Sequence, residues 1–360
     1  MKNQHTGWTP QLGEHRNARQ VEAWPQLDLL KPSTTVISSL GHVQLAPLVC
    51  ALWCVTLGYI IGADHALAGD TFTASSDRPA RFAFEYNNDL FAGTDRDYTG
   101  ATRFAWSPEG ARGEGTLFTL SQEAWTPDDT TAERPPIGQH PYTGWLYLSA
   151  ARATIVAEGT WMQYASIGVL GPSSRAEAVQ RFLHKASGSA AVNGWDSELG
   201  DRIALQLGLR KDVSALRHSV ASGVELDLGA HAGAGFGTVM GYLHAGTSLR
   251  IGRGTTYTVG PPDTAPGAPD FAAAFAPMNA LYVHIGIGAR AVGWDATLDT
   301  DNLPAASVNI EPLVADMRAG IVASSGHWRL AYTHVLNTRT YRTGIATHTF
   351  GSLNIARSLR

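Results

Sequence analysis

The feature that most constrains this chain is a period-two alternation of apolar and polar residues, which recurs from Arg81 to the C-terminus. In residues 281–291, Leu, Val, Ile, Ile, Ala and Ala alternate with Tyr, His, Gly, Gly and Arg, and residues 203–209, 224–228 and 243–251 alternate in the same way. One face of each segment is aliphatic, and the other carries glycine, histidine, arginine or acidic residues. This pattern is typical of a membrane-spanning β-barrel with lipid outside and a polar lumen, and a soluble barrel or sandwich is the alternative.

The number of alternating segments predicts the size of the barrel. We expect about twelve strands, beginning near Arg81, Ala101, Thr116, Tyr142, Thr160, Arg202, Leu216, Phe236, Ala280, Asn309, His327 and Ile345. An even number returns both termini to the periplasmic side, so the long connections 88–99, 127–141, 171–200 and 292–308 face outward, whereas the connection 252–278 is long on the periplasmic side. The predicted fold class is all-β: a transmembrane outer-membrane β-barrel of about twelve antiparallel strands with one short helix in an extracellular loop.

The N-terminal part of the chain predicts export. Residues 45–61 carry no charge, and an Ala-Leu-Ala-Gly pattern follows at residues 66–69. An apolar run of this length before a small-x-small pattern is typical of a cleaved signal peptide, and an uncleaved membrane anchor is the alternative.

This export signal predicts a division of the chain into three parts. We expect residues 1–68 to be removed as an N-terminal extension and signal peptide, residues 69–80 to form a short periplasmic lead-in, and residues 81–360 to form the barrel with its extracellular active-site loops. Both cysteines, Cys50 and Cys54, lie in the part to be removed. We therefore expect no disulfide in the mature protein.

Residues 171–196 contain a predicted helix with chemically useful side chains. Ser174 and Glu177 match a capping box and Gly188 matches a C-terminal stop, so a helix is expected from residue 175 to about 187. On the helical wheel, Gln180 and His184 lie along one polar edge. The adjacent apolar arc contains Ala176, Val179, Phe182, Leu183 and Ala186. A glutamine and a histidine one turn apart in a long loop predict chemistry at this helix, and a loop helix that only caps the fold is the alternative.

Three motifs accompany the alternation. The first is N-D-L-F at residues 88–91 followed by D-R-D-Y-T-G at 95–100, the second is Y-T-G-W at 142–145, and the third is E-A-V-Q-R-F-L-H at 177–184 followed by G-W-D at 194–196. In this order, and on a barrel pattern with an export signal, the motifs resemble the outer-membrane lipid A 3-O-deacylase family. The resemblance extends from about Phe82 to the C-terminus.

The resemblance implies a twelve-stranded barrel whose active site lies between the outer wall and the loop helix. It implies that Asn88, Asp89 and Thr99 belong to an active site that uses Ca²⁺, with Asn88 and Asp89 at the metal. It also implies that His184 is the general base and that Gln180 is its neighbour. Ca²⁺ is then expected to polarise the ester carbonyl and stabilise the oxyanion.

The residue types are consistent with this chemistry. Histidine takes a proton from water near neutral pH, and asparagine and aspartate offer the hard oxygen ligands that Ca²⁺ prefers. The sequence has no G-x-S-x-G elbow, and the expected mature chain has no cysteine to act as a nucleophile. Ser173, Ser174 and Ser187 lie near His184 in sequence, so a Ser-His enzyme stays open.

The predicted function is calcium-dependent hydrolysis of the ester-linked acyl chain at the 3-position of lipid A. The alternatives are an outer-membrane phospholipase or other lipid esterase, and a non-catalytic porin or structural barrel. Lipid A, or lipopolysaccharide, and the outer membrane are the expected partners, and a monomer is expected. The net charge of −4, from 27 Lys and Arg against 31 Asp and Glu, argues against nucleic acid as a partner.

The chain departs from the family pattern after the helix. The family carries an acidic active-site residue shortly after the loop-helix histidine. The corresponding residues 187–191 are Ser-Gly-Ser-Ala-Ala, without a carboxylate.

Overall fold

The computed structural model describes residues 78–92, 96–111, 113–157, 159–188, 192–255, 267–272, 279–299 and 308–359. The expected signal peptide, its cleavage site, both cysteines and most of the expected periplasmic lead-in lie outside the described residues. Residues 189–191, part of the stretch that departs from the family pattern, lie outside them as well.

Within the described residues, twelve antiparallel strands close into one barrel, in which the first strand pairs with the second and with the last. The strands are β1 Arg81–Asn88, β2 Asp97–Ser107, β3 Glu114–Thr126, β4 Thr143–Val156, β5 Gly159–Leu170, β6 Arg202–Ala221, β7 Val224–Gly237, β8 Met240–Arg253, β9 Ala280–Asp295, β10 Leu313–Ser325, β11 Trp328–Thr338 and β12 Thr347–Ser358. This confirms the predicted fold class and strand number. Among the described residues, no helix is both long and apolar enough to cross a lipid bilayer.

The alternation in sequence separates the two faces of the wall. Large apolar side chains such as Ile203, Leu148 and Leu281 are exposed on the outward face, whereas polar side chains such as Arg103 and Asp227 are buried on the inward face. A barrel with this polarity has its apolar band where lipid tails lie.

One strand begins well after its predicted position, and the start predicted for another lies in the preceding strand. The seventh was expected near Leu216, but β6 continues to Ala221 and β7 begins at Val224, after a two-residue turn that contains Gly223 at φ +71°. The eighth was expected near Phe236, which instead lies at the end of β7. An alternating pattern continues across a two-residue hairpin turn, so the pattern alone does not show where the strand reverses. All strands except the seventh begin within four residues of the predicted positions.

The long connection between β8 and β9 enters the lumen. Its residues 267–272 are all buried. Phe271 packs against inward-facing residues of β2 to β5, which include Ala105, Leu117, Ala151 and Met162. The Gly267 N–H donates to Oε1 of Glu123, 3.1 Å away. The length of this connection on the periplasmic side therefore serves to fill part of the lumen.

A charged network joins the inner faces of β1 to β4. The Arg103 guanidinium lies 2.8 Å from Oε1 of Glu85 and 3.2 Å from Oε1 of Glu123. The Tyr147 hydroxyl donates to the same Glu123 oxygen over 2.5 Å. One arginine thus links two carboxylates on its neighbouring strands, and these hydrogen bonds hold the four strands in register from inside.

The predicted loop helix is present as α1, Ala176–Ser187, in the connection between β5 and β6. It ends where expected, because Gly188 adopts φ +75° and its N–H donates to the His184 carbonyl. Its start differs from the prediction. Arg175 is the N-cap in a left-handed conformation, and Ser174 Oγ accepts the Ala176 N–H over 3.2 Å instead of capping as half of a box with Glu177.

Candidate active site

The outward faces of β1 to β4 carry a row of paired residues near the extracellular rim. Asn88 pairs with Gly100, Gly100 with Ala124, and Ala124 with Gly144. These four residues, the outer-wall row, lie on the same face as the exposed lipid-facing side chains of their strands, because they are separated from them by even numbers of residues. Three of the four are glycine or alanine, so the wall has a shallow, smooth surface here.

Helix α1 lies against this smooth surface. Gly144 faces Ser174 and Ala176 so closely that a Cβ atom at position 144 would overlap both side chains. Ala124 packs against a buried cluster that includes Ala176, and Gln122 Nε2 donates to the Ser174 carbonyl over 2.6 Å. The start of α1 is therefore fixed to the outside of β3 and β4.

The face of α1 that is buried is the one with the polar residues. Ala176, Gln180 and His184, spaced four residues apart, are 1%, 5% and 7% exposed, whereas Phe182 is 69% exposed. The apolar arc of the helical wheel is therefore not the packed face as a whole, because Phe182 points away from the wall. Ala176 contacts the wall, and residues at i+4 and i+8 lie on the same helical face. Gln180 and His184 thus face the wall of the barrel.

Gln180 is held by a partner that follows the helix. The Trp195 indole N–H donates to Gln180 Oε1 over 2.7 Å, and Trp195 is only 3% exposed. The ring of Tyr142, at the start of β4, lies 5.3 Å from the Trp195 ring. The G-W-D motif therefore reaches back to the helix, a contact between residues fifteen positions apart in sequence.

Asn88, Asp89 and Thr99 gather at the rim of the first hairpin. Asn88 ends β1, and Asp89, fully buried, begins the 3₁₀ helix Asp89–Ala92. The Arg96 N–H donates to Asp89 Oδ2 over 2.5 Å. Thr99 lies at a bulge in β2, next to the Gly100 that pairs with Asn88, and its hydroxyl bonds to Thr126 at 2.6 Å. The hairpin thus brings the three predicted residues to one end of the wall, as the sequence suggested.

The outer-wall row connects the rim group, which is Asn88, Asp89 and Thr99, with the buried face of α1. Asn88 belongs to the rim group, and Ala124 packs against the cluster below α1. Neighbouring strands lie about 4.8 Å apart, so two strand spacings, about 10 Å, separate Asn88 from Ala124 along the row. All five predicted site residues are buried, and they lie on two surfaces of this one region, the rim hairpin and the wall-facing side of the helix.

The rim group offers a suitable donor set for a hard cation. Asp89 supplies a carboxylate, Asn88 an amide oxygen and Thr99 a hydroxyl, all on buried side chains. Among the described residues, no three His, Cys, Asp or Glu side chains lie close enough together to hold a metal ion. A site here would therefore rely on neutral oxygens beside one carboxylate, a combination that Ca²⁺ accepts and that softer metals do not favour.

Glu198, which belongs to none of the sequence motifs, also lies in this region. Its Oε1 accepts the Gly144 N–H over 3.2 Å, at the place where α1 packs on β4. Burial raises the pKa of this carboxyl to about 8, the Gly144 N–H acts in the opposite direction, and the charges of Glu177 and Asp201 raise the pKa further. The sequence signal was weak, because Glu198 belongs to no motif and only the folded loop brings it to β4.

The serines near His184 in sequence have other partners. Ser173 Oγ donates to Asp201 over 2.7 Å, and Ser174 Oγ accepts the helix N–H already described. Ser174 precedes His184 by ten residues, which corresponds to about 15 Å along a helix. The Ser187 side chain lies outside the described part of the structure. Neither Ser173 nor Ser174 is therefore placed as a nucleophile for His184.

Fold and site together define an outer-membrane β-barrel with a loop helix packed on its outer wall, the buried face of which carries polar side chains. The family model described as outer membrane protein LpxR matches residues 51–359. The chain therefore belongs to the LpxR outer membrane protein family, which is the lipid A deacylase family that the motifs resemble, and it is an outer-membrane protein.

One solved structure has the same architecture, and a second is only distantly similar. LpxR from Salmonella typhimurium is similar with a TM-score of 0.70 at 17% identity, and the match covers 78% of this chain and 100% of that one. The translocator domain of the autotransporter NalP from Neisseria meningitidis gives a TM-score of 0.35 at 12% identity, covering 90% of this chain and 98% of that one. No curated protein sequence matches the chain.

Proposed function

We propose that this protein hydrolyses the ester-linked acyl chain at the 3-position of lipid A, with His184 as general base and Ca²⁺ bound at the rim group. The observation that carries the proposal is the burial of Gln180 and His184 on the side of α1 that faces the outer wall. A helix docked on the outside of a barrel forms a cleft that a membrane lipid enters sideways. A water-soluble substrate would not require a site on the membrane-facing side of the barrel.

The wall below the cleft suits an acyl chain. Phe104, Leu120 and Leu148 form a paired, exposed row on β2, β3 and β4, each four residues from the outer-wall row. Four residues of a strand span about 13 Å. An acyl chain can therefore remain along the apolar band while its ester lies in the cleft.

The residues of the chain account for the proton transfers. His184 takes a proton from a water molecule as the water oxygen bonds to the ester carbonyl carbon. When the bond between that carbon and the sugar oxygen breaks, His184 returns the proton to the sugar oxygen, leaving a free hydroxyl and a fatty acid. Burial of His184 against the wall limits the access of other waters, which favours attack by a positioned one.

Asn88, Asp89 and Thr99 would hold the cation. Their buried oxygens form the donor set described above, and the Arg96 N–H fixes one Asp89 oxygen. When bound there, Ca²⁺ would supply an electrophile that polarises the ester carbonyl. This role is the one that the family resemblance implies.

The alternatives are less well supported. An open pore is disfavoured because residues 267–272 fill part of the lumen. A Ser-His lipase is disfavoured because Ser173 and Ser174 are engaged at the other end of the helix from His184. A phospholipase that uses the same histidine and metal differs only in its substrate, so product analysis must separate it from a lipid A deacylase.

The test is mass spectrometry of lipid A and phospholipids from outer membranes with and without the protein. We expect lipid A to lose one ester-linked acyl chain while phospholipids keep theirs, and His184→Ala to lower turnover by about 100- to 10,000-fold. The exposed His218 provides a matched control, since His218→Ala should keep full activity. Loss of acyl chains from phospholipids alone, or near-normal turnover in His184→Ala, would contradict the proposal.

Calcium dependence has a separate test with purified protein. EGTA should abolish turnover, Ca²⁺ should restore it better than Mg²⁺, and Asp89→Ala should lose most activity at any calcium concentration that activates the wild type. Asp129→Ala, in an exposed loop, is the control and should behave as wild type. Full activity of the chelated protein would remove the metal from the mechanism and leave Asn88 and Thr99 as direct donors to the oxyanion.

A further inference from the structure

We infer that Trp195 is a positioning residue, which fixes the Gln180 amide so that its NH₂ group faces the cleft and donates to the ester carbonyl oxygen. This inference rests on the proposed function. It gives the G-W-D motif a role, which is to orient a second group that acts on the ester carbonyl oxygen beside the proposed metal.

The chemistry of the indole sets the orientation of the amide. An indole N–H only donates, so its partner on Gln180 must be the carbonyl oxygen Oε1. The 2.7 Å bond from Trp195 therefore determines which end of the amide is engaged. Gln180 Nε2 is the other end, and it is buried with no hydrogen-bond partner among the described residues.

A buried amide donor without a partner is rare and calls for a physical explanation. Gln180 lies one turn before His184 on the buried face of α1, so the two side chains are neighbours. A substrate carbonyl in this cleft would satisfy the donor. As the carbonyl oxygen gains negative charge during water attack, the hydrogen bond from Nε2 strengthens, which lowers the barrier.

The surroundings of Trp195 hold its ring in place. Tyr142 is fully buried beside it, and the Tyr142 hydroxyl donates to the Thr130 carbonyl over 3.2 Å. Gly194 lies against the Tyr142 ring so closely that any side chain there would overlap it. The 3₁₀ turn Gly194–Ser197 can therefore pack against the Tyr142 ring only with glycine at its first position, and the Trp195 indole donates to Gln180 from this turn.

The first test compares substitutions that separate hydrogen-bond donation by Gln180 from its structural contact with Trp195. Gln180→Glu keeps an acceptor for Trp195 but replaces the NH₂ group with an oxygen. We expect it to lower kcat as much as Gln180→Ala, on the order of 100-fold, with a much smaller change in KM. If Gln180 only anchored the loop through Trp195, Gln180→Glu would retain activity, and the inference would be wrong.

The second test asks whether Trp195 acts through Gln180. Trp195→Phe keeps an aromatic ring but removes the N–H, and we expect kcat to fall by about 3- to 10-fold. In a Gln180→Ala background the same change should have no further effect, because the amide to be oriented is gone. Equal losses in both backgrounds would show that Trp195 supports the loop independently and would overturn the inference.

A readout without turnover separates this inference from the proposed function. In detergent-solubilised protein labelled with ¹⁵N-tryptophan, the indole N–H signal that Trp195→Phe removes should shift in Gln180→Ala and stay close to its wild-type position in Gln180→Glu. An unchanged signal in Gln180→Ala would show that the bond does not form. If the signal shifts as expected but His184→Ala retains turnover, the proposed mechanism fails while the hydrogen bond stands.

Discussion

The inward and outward faces of β1 to β4 are built in opposite ways. On the inward face, large and charged side chains pack tightly, with Arg103 between two carboxylates and the Trp145 ring 4.1 Å from that of Tyr147. On the outward face near the rim, the residues are small, and a helix fills the space that their side chains leave. The same strands therefore gain stability from one face and hold the candidate site on the other.

Two consecutive asparagines of β1, Asn87 and Asn88, illustrate the difference between the two faces. Asn87 points inward, where its Nδ2 donates to Glu85 and to the Tyr98 hydroxyl. Asn88 belongs to the outer-wall row and pairs with Gly100. Because neighbouring residues of a strand point to opposite faces, Asn87 faces the lumen and Asn88 faces the outer wall. Substitutions on the two faces should thus affect different properties.

Apart from substitutions of the proposed catalytic groups, the largest effect on activity is expected when a side chain fills the place on β4 where α1 packs. Gly144→Val places a side chain where Ser174 and Ala176 lie, so α1 must move off the wall. A displacement of about 1 Å can cost about 100-fold in rate, and we expect at least this loss while the barrel still folds. Turnover and the heat-dependent gel shift of the folded barrel measure the two properties.

Gly293 in β9 is the matched control for this substitution. It is exposed, and an added Cβ would have its nearest contact at 3.6 Å, an ordinary packing distance. Gly293→Ala should leave both turnover and folding unchanged. Normal turnover in Gly144→Val would show that α1 is not seated on the outer wall.

The next largest effect is expected on the stability of the barrel. Arg103→Met removes the cation between Glu85 and Glu123 and leaves two buried carboxylates uncompensated. Breaking a buried ion pair in this way typically costs about 3–5 kcal/mol. Urea unfolding in lipid vesicles should show this loss, whereas turnover per folded molecule should fall far less than in Gly144→Val.

The exposed pair Arg152–Glu114 has a similar distance, 2.8 Å, but both side chains are more than half exposed. Arg152→Met is therefore expected to change stability by less than about 1 kcal/mol. If Arg103→Met and Arg152→Met were equally mild, the inward network would not be the source of barrel stability.

A smaller, pH-dependent effect is expected at Glu198. The docked loop holds the Glu198 proton with a pKa of about 8, whereas a free glutamate has a pKa of about 4.3. The docked state thus binds more protons in this range, so docking of α1 weakens as pH rises from the lower value to the upper one and changes little above it. Quenching of a fluorophore attached through Ala178→Cys, an exposed helix position, measures docking.

Glu198→Gln should remove most of this pH dependence, because its amide stays neutral at every pH. At pH 8.5 the variant should dock more firmly than the wild type. A pH profile that is the same in both proteins would assign the weakening to other groups.

The smallest effect is expected at Phe182. Because this residue is 69% exposed, Phe182→Ser should change the docking of α1 by no more than about 0.5 kcal/mol. The same fluorophore measures it. A loss of docking as large as that of Gly144→Val would show that the apolar arc of the helix, and not the Ala176 face, contacts the wall.

Helix α1 shows which features of a loop helix can be predicted from sequence patterns and which cannot. The stop at Gly188 was correct, because a glycine at a helix end reflects a local conformational preference. The capping box was wrong, because Arg175 is the N-cap, Ser174 Oγ accepts the N–H of Ala176, and the Glu177 carboxylate pairs with Arg181 over 2.7 Å within the helix. A two-residue motif does not determine which of several nearby partners each side chain takes.

The sequence by itself determined the class of fold and the position of the rim group. Alternation has a period that depends only on the chain, so it identifies the two faces of each strand, and a hairpin brings Asn88 and Thr99 together with no help from distant residues. The helical wheel pointed to Gln180 and His184, and the family motifs pointed to Asn88, Asp89 and Thr99.

Only the tertiary structure decided which face of α1 is buried, that Trp195 holds Gln180, that Glu198 lies at Gly144, and that residues 267–272 enter the lumen. The physical reason is that these contacts join residues of distant elements through shape and hydrogen-bond geometry. The pattern of hydrophobicity along the chain does not determine which surfaces will pack together once the barrel has closed.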